Sequence, residues 1–181
     1  MSEASAETGV DVSAALTGVT TSAGSDLLGL TRERPVLLVF LRHLGCTFCR
    51  EAAADVAHQR ASIEDHATVV FVHMMGEAKA AATFFHRYGL ERAHHVGDPE
   101  KTLYTAFDLK RGTIGQLFGG KVWVRGVQAA LFDGHWVGAL QGDGLQMPGV
   151  FLVRDGRIVR EFRHTSAADR PDYAALVTPG T

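Results

Sequence analysis

The chain has little of several features that would point to particular functions. Its 181 residues carry 18 Lys and Arg against 20 Asp and Glu, and the basic residues are scattered, so we expect no nucleic-acid partner. The longest unbroken apolar run covers residues 36–41, far short of the ~20 that a membrane helix needs. Residues 1–31 contain no Lys or Arg and do not resemble a secretory signal. We therefore expect a cytoplasmic protein with no membrane or nucleic-acid partner.

Cysteine is also scarce, because Cys46 and Cys49 are the only two in the chain. They lie where an apolar run stops and a helical pattern begins, a setting typical of redox chemistry in a reducing compartment. A helix N-terminus favours a thiolate, and Arg42, His43 and Arg50 are close in sequence, so we expect these three to support the more exposed sulfur. Residues three apart share a helix face, which lets one sulfur attack a mixed disulfide formed on the other.

Other interpretations of the cysteine pair stay open. Both thiols can be small buried hydrophobic groups, although two in one helical turn makes coincidence a minor alternative. A structural zinc site needs four ligands and no second Cys pair exists, but histidines could complete one. A structural disulfide is disfavoured by the expected compartment and by the geometry of a Cys-x-x-Cys ring. We expect no cofactor and no metal. The histidines that could serve as ligands are His43, His73, His94 and His95.

The apolar pattern alternates between strands and helices from Pro35 onward, and it predicts one mixed sheet with helices on both faces, a thioredoxin-like α/β layout. Before this, we expect a flexible segment to about residue 24 with one short edge strand near 19–21. A single domain then covers 25–181, with an insertion at about 111–146 that is partly helical around 122–131. The expected strands cover 36–41, 68–74, 95–97, 149–153 and 157–163, and the expected helices begin at Cys46, Glu77, Asp98 and near Pro171.

Met147 and Pro148 form a second candidate site. A Pro just before a strand commonly just opens the strand, but in this layout the loop passes next to the start of the first long helix, opposite the cysteines. A cis Met147–Pro148 bond would be a specific structural choice, because cis bonds are essentially confined to X-Pro. We expect this backbone to bind substrate thiols.

Two sequence blocks resemble a known family. They are F-L-R-H-x-G-C-x-F-C-R, within residues 36–51, and L-Q-M-P-G-V-F-L at 145–152. Both are similar to peroxiredoxin-like proteins of the AhpC/TSA type, particularly the group related to the selenoprotein SelL. The similarity extends from about Asp26 to the C-terminus. The resemblance implies a thioredoxin-like fold, an antioxidant role in reducing peroxides or disulfides, and the cis proline.

The sequence departs from true peroxiredoxins, which carry Pro-x-x-x-Thr-x-x-Cys. If Cys49 takes the last place of this motif, Cys46 stands where the Thr belongs and Arg42 where the Pro belongs. That alignment favours Cys49 as the attacking thiol, whereas the thioredoxin pattern favours attack by Cys46 and resolution by Cys49, which we prefer. Arg42 either supports a sulfur anion or a peroxide oxygen, or is a solvated surface residue.

The sequence thus predicts an enzyme, a thiol-dependent oxidoreductase that cycles Cys46 and Cys49 between dithiol and disulfide. Its expected substrate is a peroxide or a protein disulfide, and thioredoxin or a small thiol restores the dithiol. The alternative is a redox-sensing or interaction module that switches through the same disulfide with little turnover. In that case Trp123 and Trp136 would contribute to a partner surface, which could also serve a homodimer, although packing in the core is the commoner role of such aromatic residues.

Overall fold

A computed structural model describes residues 9–42, 47–112, 145–165 and 169–179. Its centre is a five-stranded sheet. The strands are β1 Val36–Phe40, β2 Thr68–His73, β3 His94–Gly97, β4 Gly149–Arg154 and β5 Arg157–Arg163. Their order in the sheet is β3-β2-β1-β4-β5. Strand β1 is parallel to β2, and β2 is parallel to β3, whereas β4 is antiparallel to both β1 and β5. This is the mixed sheet that the sequence predicts.

Helices cover both faces of the sheet. They are α1 Ser13–Leu16, α2 Leu27–Glu33, α3 Thr47–Glu64, α4 Ala78–Arg87, α5 Thr102–Ala106 and α6 Tyr173–Val177. Every residue of β1 is buried, because alternate side chains enter different apolar layers. Leu37 and Val39 pack in the layer that contains α3, α4 and α6, whereas Val36, Leu38 and Phe40 pack in the layer that contains α1, α2 and α5. In the described part of the chain, no helix is both long and apolar enough to cross a membrane.

Helix α5 begins later than the sequence predicts. The expected start is Asp98, but the helix starts at Thr102, after Lys101 has adopted a left-handed backbone with φ of 60°. Asp98 still provides the cap: its carboxylate accepts hydrogen bonds from the backbone N–H groups of Thr102 at 2.9 Å and Leu103 at 2.8 Å. The prediction that Asp98 caps this helix is therefore confirmed, but the turn at residues 99–100 separates Asp98 from the first helical residue.

The N-terminal side differs from the expectation. An isolated bridge between Thr20 and Asp26 takes the place of the edge strand expected near 19–21, and α1 and α2 were not predicted. Val12 and Leu16 of this region are buried in the core. A helix as short as α1 shows no period in the sequence and depends on such packing. The boundary at residue 24 stays a prediction, and the insertion, with its expected helix and both tryptophans, lies largely outside the described residues.

Gly149 opens β4 at a point where no side chain fits. A Cβ atom there would lie 2.7 Å from Cδ2 of Leu109 and 2.8 Å from Cε2 of Phe151, both in the core. We expect Gly149→Ala to lower the free energy of unfolding by about 1 to 2 kcal/mol, since a packed core resists added atoms. Urea denaturation measures this, with Gly76→Ala as the control, because a Cβ at Gly76 meets nothing within 4 Å. Equal effects of the two substitutions would contradict the packing argument.

Candidate functional site

The site begins where β1 ends and α3 starts. Cys49 lies in the first turn of α3, and its side chain is 3% exposed. The backbone N–H of Arg42, just beyond β1, donates a hydrogen bond to Cys49 Sγ, with 3.1 Å between N and S. A hydrogen bond donated to a sulfur favours the thiolate over the thiol. Cys46 and His43 lie outside the described residues, so their predicted roles stay predictions.

Arg42 is a buried residue, 4% exposed, and the alternative of a solvated surface arginine is therefore wrong. Its Nε donates to the backbone carbonyl of Gln146 at 3.1 Å. Gln146 is itself buried, and its side-chain amide donates to the Leu109 carbonyl at 2.6 Å. The Arg42 hydrogen bond thus connects the end of β1 to the segment that leads into β4. This contact joins positions far apart in sequence, and no local pattern indicates it.

Pro148 lines the same cavity as Arg42 and Cys49. The cavity measures about 20 Å³, room for roughly one water-sized group. Met147 does not line the cavity but is buried against Phe48, which does.

The Met147–Pro148 bond itself is trans, because the described residues contain no cis peptide bond. The expected cis proline is therefore wrong. The backbone N–H of Met147 is bound to the Lys110 carbonyl at 3.2 Å, and the chain continues directly into β4 at Gly149. A trans bond suits this extended path and is the lower-energy isomer for X-Pro.

An ion-pair cluster forms another wall of the cavity. Nη1 of Arg170 lies 2.9 Å from Oε1 of Glu51, and Nε of Arg170 donates to Oδ2 of Asp55 at 3.0 Å. The Glu51 side chain is only 4% exposed. An acidic residue of a long helix is ordinarily exposed, so the burial of Glu51 is not evident from the sequence. The partner that makes its burial tolerable comes from the C-terminal segment, which local periodicity does not reveal.

His164 also lines this cavity, although the sequence analysis did not single it out. Burial lowers the pKa of His164 to about 4, against the opposing effects of Asp169 and the backbone carbonyl of Pro148. The imidazole is therefore neutral at neutral pH. Arg50, in contrast, is not among the residues that line the cavity, and its charge acts on Tyr88, where it partly offsets the burial that raises the pKa of that phenol.

Three of the histidines considered as zinc ligands, His73, His94 and His95, pair with other groups, and His43 lies outside the described residues. His73 Nδ1 accepts the backbone N–H of Met75 at 3.2 Å, so the proton of a neutral ring lies on Nε2, which donates to His95 Nδ1 at 3.1 Å. His94 pairs instead with the hydroxyl of Thr21 at 3.1 Å. Within the described ranges, no group of three or more His, Cys, Asp or Glu side chains could hold a metal ion.

The buried His73 ring predicts a loss of stability in acid. Burial, with a smaller contribution from His95, lowers the pKa of His73 from 6.5 to about 4. The unfolded chain then binds a proton more readily than the folded one, so the stabilisation is complete above pH 6.5 and decreases as the pH falls toward 4. We expect the free energy of unfolding to fall by about 2 kcal/mol between pH 7 and pH 5 from this group.

Urea denaturation at both pH values measures this loss. His73→Gln should reduce the difference between the two pH values, whereas His58→Gln, at an exposed position of α3, should leave it unchanged. The same pH dependence in wild type and His73→Gln would show that His73 is not responsible.

Comparison with known proteins decides the family. The family model described as AhpC/TSA antioxidant enzyme matches residues 57–166, more than half of the chain. The chain belongs to the AhpC/TSA family. The match confirms the peroxiredoxin-like resemblance seen in the sequence. The matched residues begin after Cys49, so the match itself assigns no role to the cysteine pair.

Curated relatives are similar at a distance. Bovine (Bos taurus) peroxiredoxin-like 2C is 28% identical over 151 residues, which cover 75% of this chain and 62% of that protein. The prostamide/prostaglandin F synthase of Danio rerio is 27% identical over 162 residues, covering 86% of this chain and 79% of the synthase. The chain thus spans less than two thirds of the bovine relative.

Solved structures confirm the thioredoxin-like fold. Peroxiredoxin Q of Xanthomonas campestris superposes with a TM-score of 0.64 at 15% identity, covering 96% of this chain and 94% of the peroxiredoxin. A secreted disulfide oxidoreductase of Mycobacterium tuberculosis gives a TM-score of 0.56 at 15% identity, covering 90% of this chain and 95% of that one. The peroxiredoxin and the disulfide oxidoreductase therefore share this fold, and the fold alone does not indicate whether the substrate is a peroxide or a disulfide.

Proposed function

We propose that this protein reduces a peroxide or a disulfide with a dithiol formed by Cys46 and Cys49. The observation that carries the proposal is the position of Cys49 in the first turn of α3, with the Arg42 backbone N–H 3.1 Å from its sulfur. This N–H and the N-terminal end of the helix both favour a thiolate, the reactive form of cysteine. Membership of the AhpC/TSA family supports an antioxidant role for the chain, while the assignment of that role to this site rests on the position of Cys49.

In this proposal Cys46 attacks and Cys49 resolves. Burial of Cys49, at 3% exposure, supports this order, since a sulfur enclosed by the fold is better suited to meet a neighbouring residue than a bulky substrate. His43 and Arg50 are proposed to support the attacking sulfur by their charge or hydrogen bonds, and the backbone of Met147 and Pro148 to bind the substrate.

With a peroxide, the Cys46 thiolate attacks one oxygen and the O–O bond breaks. The departing oxygen takes a proton and leaves as water or an alcohol, and Cys46 becomes a sulfenic acid. The Cys49 thiolate then attacks that sulfur, so that an S–S bond forms and the S–O bond breaks, with water leaving after protonation. Thioredoxin or a small thiol supplies two electrons and two protons to restore the dithiol.

With a disulfide substrate, the Cys46 thiolate forms a mixed disulfide and releases the first substrate thiol. The Cys49 thiolate attacks the Cys46 sulfur of this intermediate and releases the second thiol, leaving a Cys46–Cys49 disulfide. The same reductant then closes the cycle. A cytoplasmic location, where thiols are kept reduced, fits this proposal.

Two measurements on the wild-type protein distinguish the substrates. The reduction potential of the pair is measured against a glutathione buffer, and oxidation by hydrogen peroxide is followed by stopped-flow fluorescence. Fast oxidation by peroxide supports a peroxidase, whereas a potential near that of thioredoxin with slow peroxide oxidation supports disulfide exchange. A pair that is oxidised by neither peroxide nor a disulfide would overturn the proposal.

A further inference from the structure

Three buried hydrogen bonds run in series from the segment before β4 to Cys49. The side-chain Nε2 of Gln146 donates to the Leu109 carbonyl at 2.6 Å. The backbone carbonyl of Gln146 accepts from Nε of Arg42 at 3.1 Å, and the backbone N–H of Arg42 donates to Cys49 Sγ at 3.1 Å. Gln146, Arg42 and Cys49 are each at most 4% exposed. Each bond therefore lies in a low-dielectric setting, where a missing partner is costly.

We propose that Gln146 is a positioning residue for the Cys49 thiolate. Its amide fixes the carbonyl that holds the Arg42 side chain, and Arg42, held in this way, presents its backbone N–H to the sulfur. Gln146 is not among the residues that line the Cys49 cavity, so it acts through Arg42 and not on the substrate. The inference rests on the proposed function, because it gives Cys49 a role in thiol exchange.

The length and the amide group of the Gln146 side chain both serve its contact with the segment that contains Leu109. Its backbone forms a bridge with Arg111, and the next residue, Met147, donates its N–H to the Lys110 carbonyl at 3.2 Å. The Gln146 amide adds a third link, with the Lys110 and Met147 carbonyls as further acceptors, each at 3.4 Å. A side chain of equal length without a donor would keep the volume but lose the link to Leu109. The Gln146 carbonyl would then hold Arg42 less firmly.

The test uses the Cys46→Ser protein, in which Cys49 is the only thiol. The fraction of thiolate is followed by its ultraviolet absorbance as the pH is varied, which requires no access of a reagent to the buried sulfur. Gln146→Met is expected to raise the titration midpoint by about one pH unit, equivalent to about ten-fold less thiolate below the midpoint. Arg42→Met is expected to raise the midpoint at least as much, because it removes the anchor directly.

The decisive comparison is the double variant. If Gln146 acts through Arg42, then Gln146→Met should shift the midpoint no further in the Arg42→Met protein. The matched control is Gln59→Met. Gln59 Oε1 accepts the backbone N–H of Ala174 at 3.1 Å, a side-chain link to α6 that is not part of the chain of bonds to Cys49. This control should leave the midpoint unchanged.

An unchanged midpoint in a folded Gln146→Met protein would overturn the inference, as would an equal shift with and without Arg42. If Gln146→Met does not fold, Gln146→Asn serves instead, because it keeps an amide that is one methylene too short for the present contact with Leu109. An unchanged midpoint there would also overturn it. Thiolate titration requires no turnover, so these outcomes are separate from a failure of the proposed activity, which is measured on the protein with both cysteines.

Discussion

Cys46→Ser is expected to abolish turnover with peroxide and disulfide substrates alike, with a loss on the order of a thousand-fold or more. A serine hydroxyl is not ionised near neutral pH and cannot form the sulfenic acid or the mixed disulfide that starts the cycle. Cys49→Ser is expected to behave differently. Cys46 still makes the first attack, and the reaction then stops at the sulfenic acid or the mixed disulfide on Cys46. Steady-state assays with thioredoxin measure the loss, and mass spectrometry identifies the trapped species.

The two variants serve as controls for each other, since each removes one sulfur from the pair. A mixed disulfide or a sulfenic acid on Cys49→Ser, with neither on Cys46→Ser, supports attack by Cys46. The opposite result would assign the attack to Cys49, the order that the peroxiredoxin alignment favours. Full activity in both variants would exclude the dithiol mechanism.

Arg170→Met is expected to lower the free energy of unfolding by about 2 to 3 kcal/mol. Its guanidinium pairs with the Glu51 and Asp55 carboxylates, whose side chains are 4% and 15% exposed. Removing one partner of a buried ion pair costs about 3 to 5 kcal/mol. The cost expected here is smaller, because the Arg170 side chain is 42% exposed and water screens part of the interaction.

Urea denaturation checks this prediction, with Arg154→Met as the matched control. Arg154 pairs with Asp155 at 3.3 Å, but both side chains are about half exposed or more. The control should therefore change the free energy of unfolding by less than about 1 kcal/mol. Replacing Glu51 by Gln in the Arg170→Met protein should recover part of the loss. Equal effects of Arg170→Met and Arg154→Met would contradict the account of the cluster.

The parts of the fold that could be predicted are those with a local signal. The apolar run of β1 indicates a strand buried on both faces, and the structure confirms it. Asp155 and Gly156 lie between the strands expected at 149–153 and 157–163, an Asp-Gly pair typical of a tight hairpin, and both residues have positive φ, at 51° and 72°. Helix α4 agrees with the helix expected to begin at Glu77, because its apolar residues recur at a regular helical spacing.

The parts that could not be predicted depend on distant partners. Burial of Arg42 depends on the Gln146 carbonyl, and burial of Glu51 depends on Arg170, contacts that only the folded chain creates. The layout of the fold and the family resemblance both suggested a cis bond before Pro148, yet the local path there is extended and the bond is trans. The place of each site residue along the fold was therefore easier to predict than the groups that surround its side chain. Those surrounding groups determine the chemistry of the site.

In the proposed cycle, Cys46 and Cys49 form a disulfide during turnover. The direct measurement is peptide mapping by mass spectrometry, after the reduced protein has reacted with a stoichiometric amount of peroxide or substrate disulfide and free thiols have been alkylated. The expected product is lighter by two hydrogens, and one disulfide joins Cys46 and Cys49 within the chain. Turnover during which both cysteines stay alkylatable, or become linked only between chains, would contradict it.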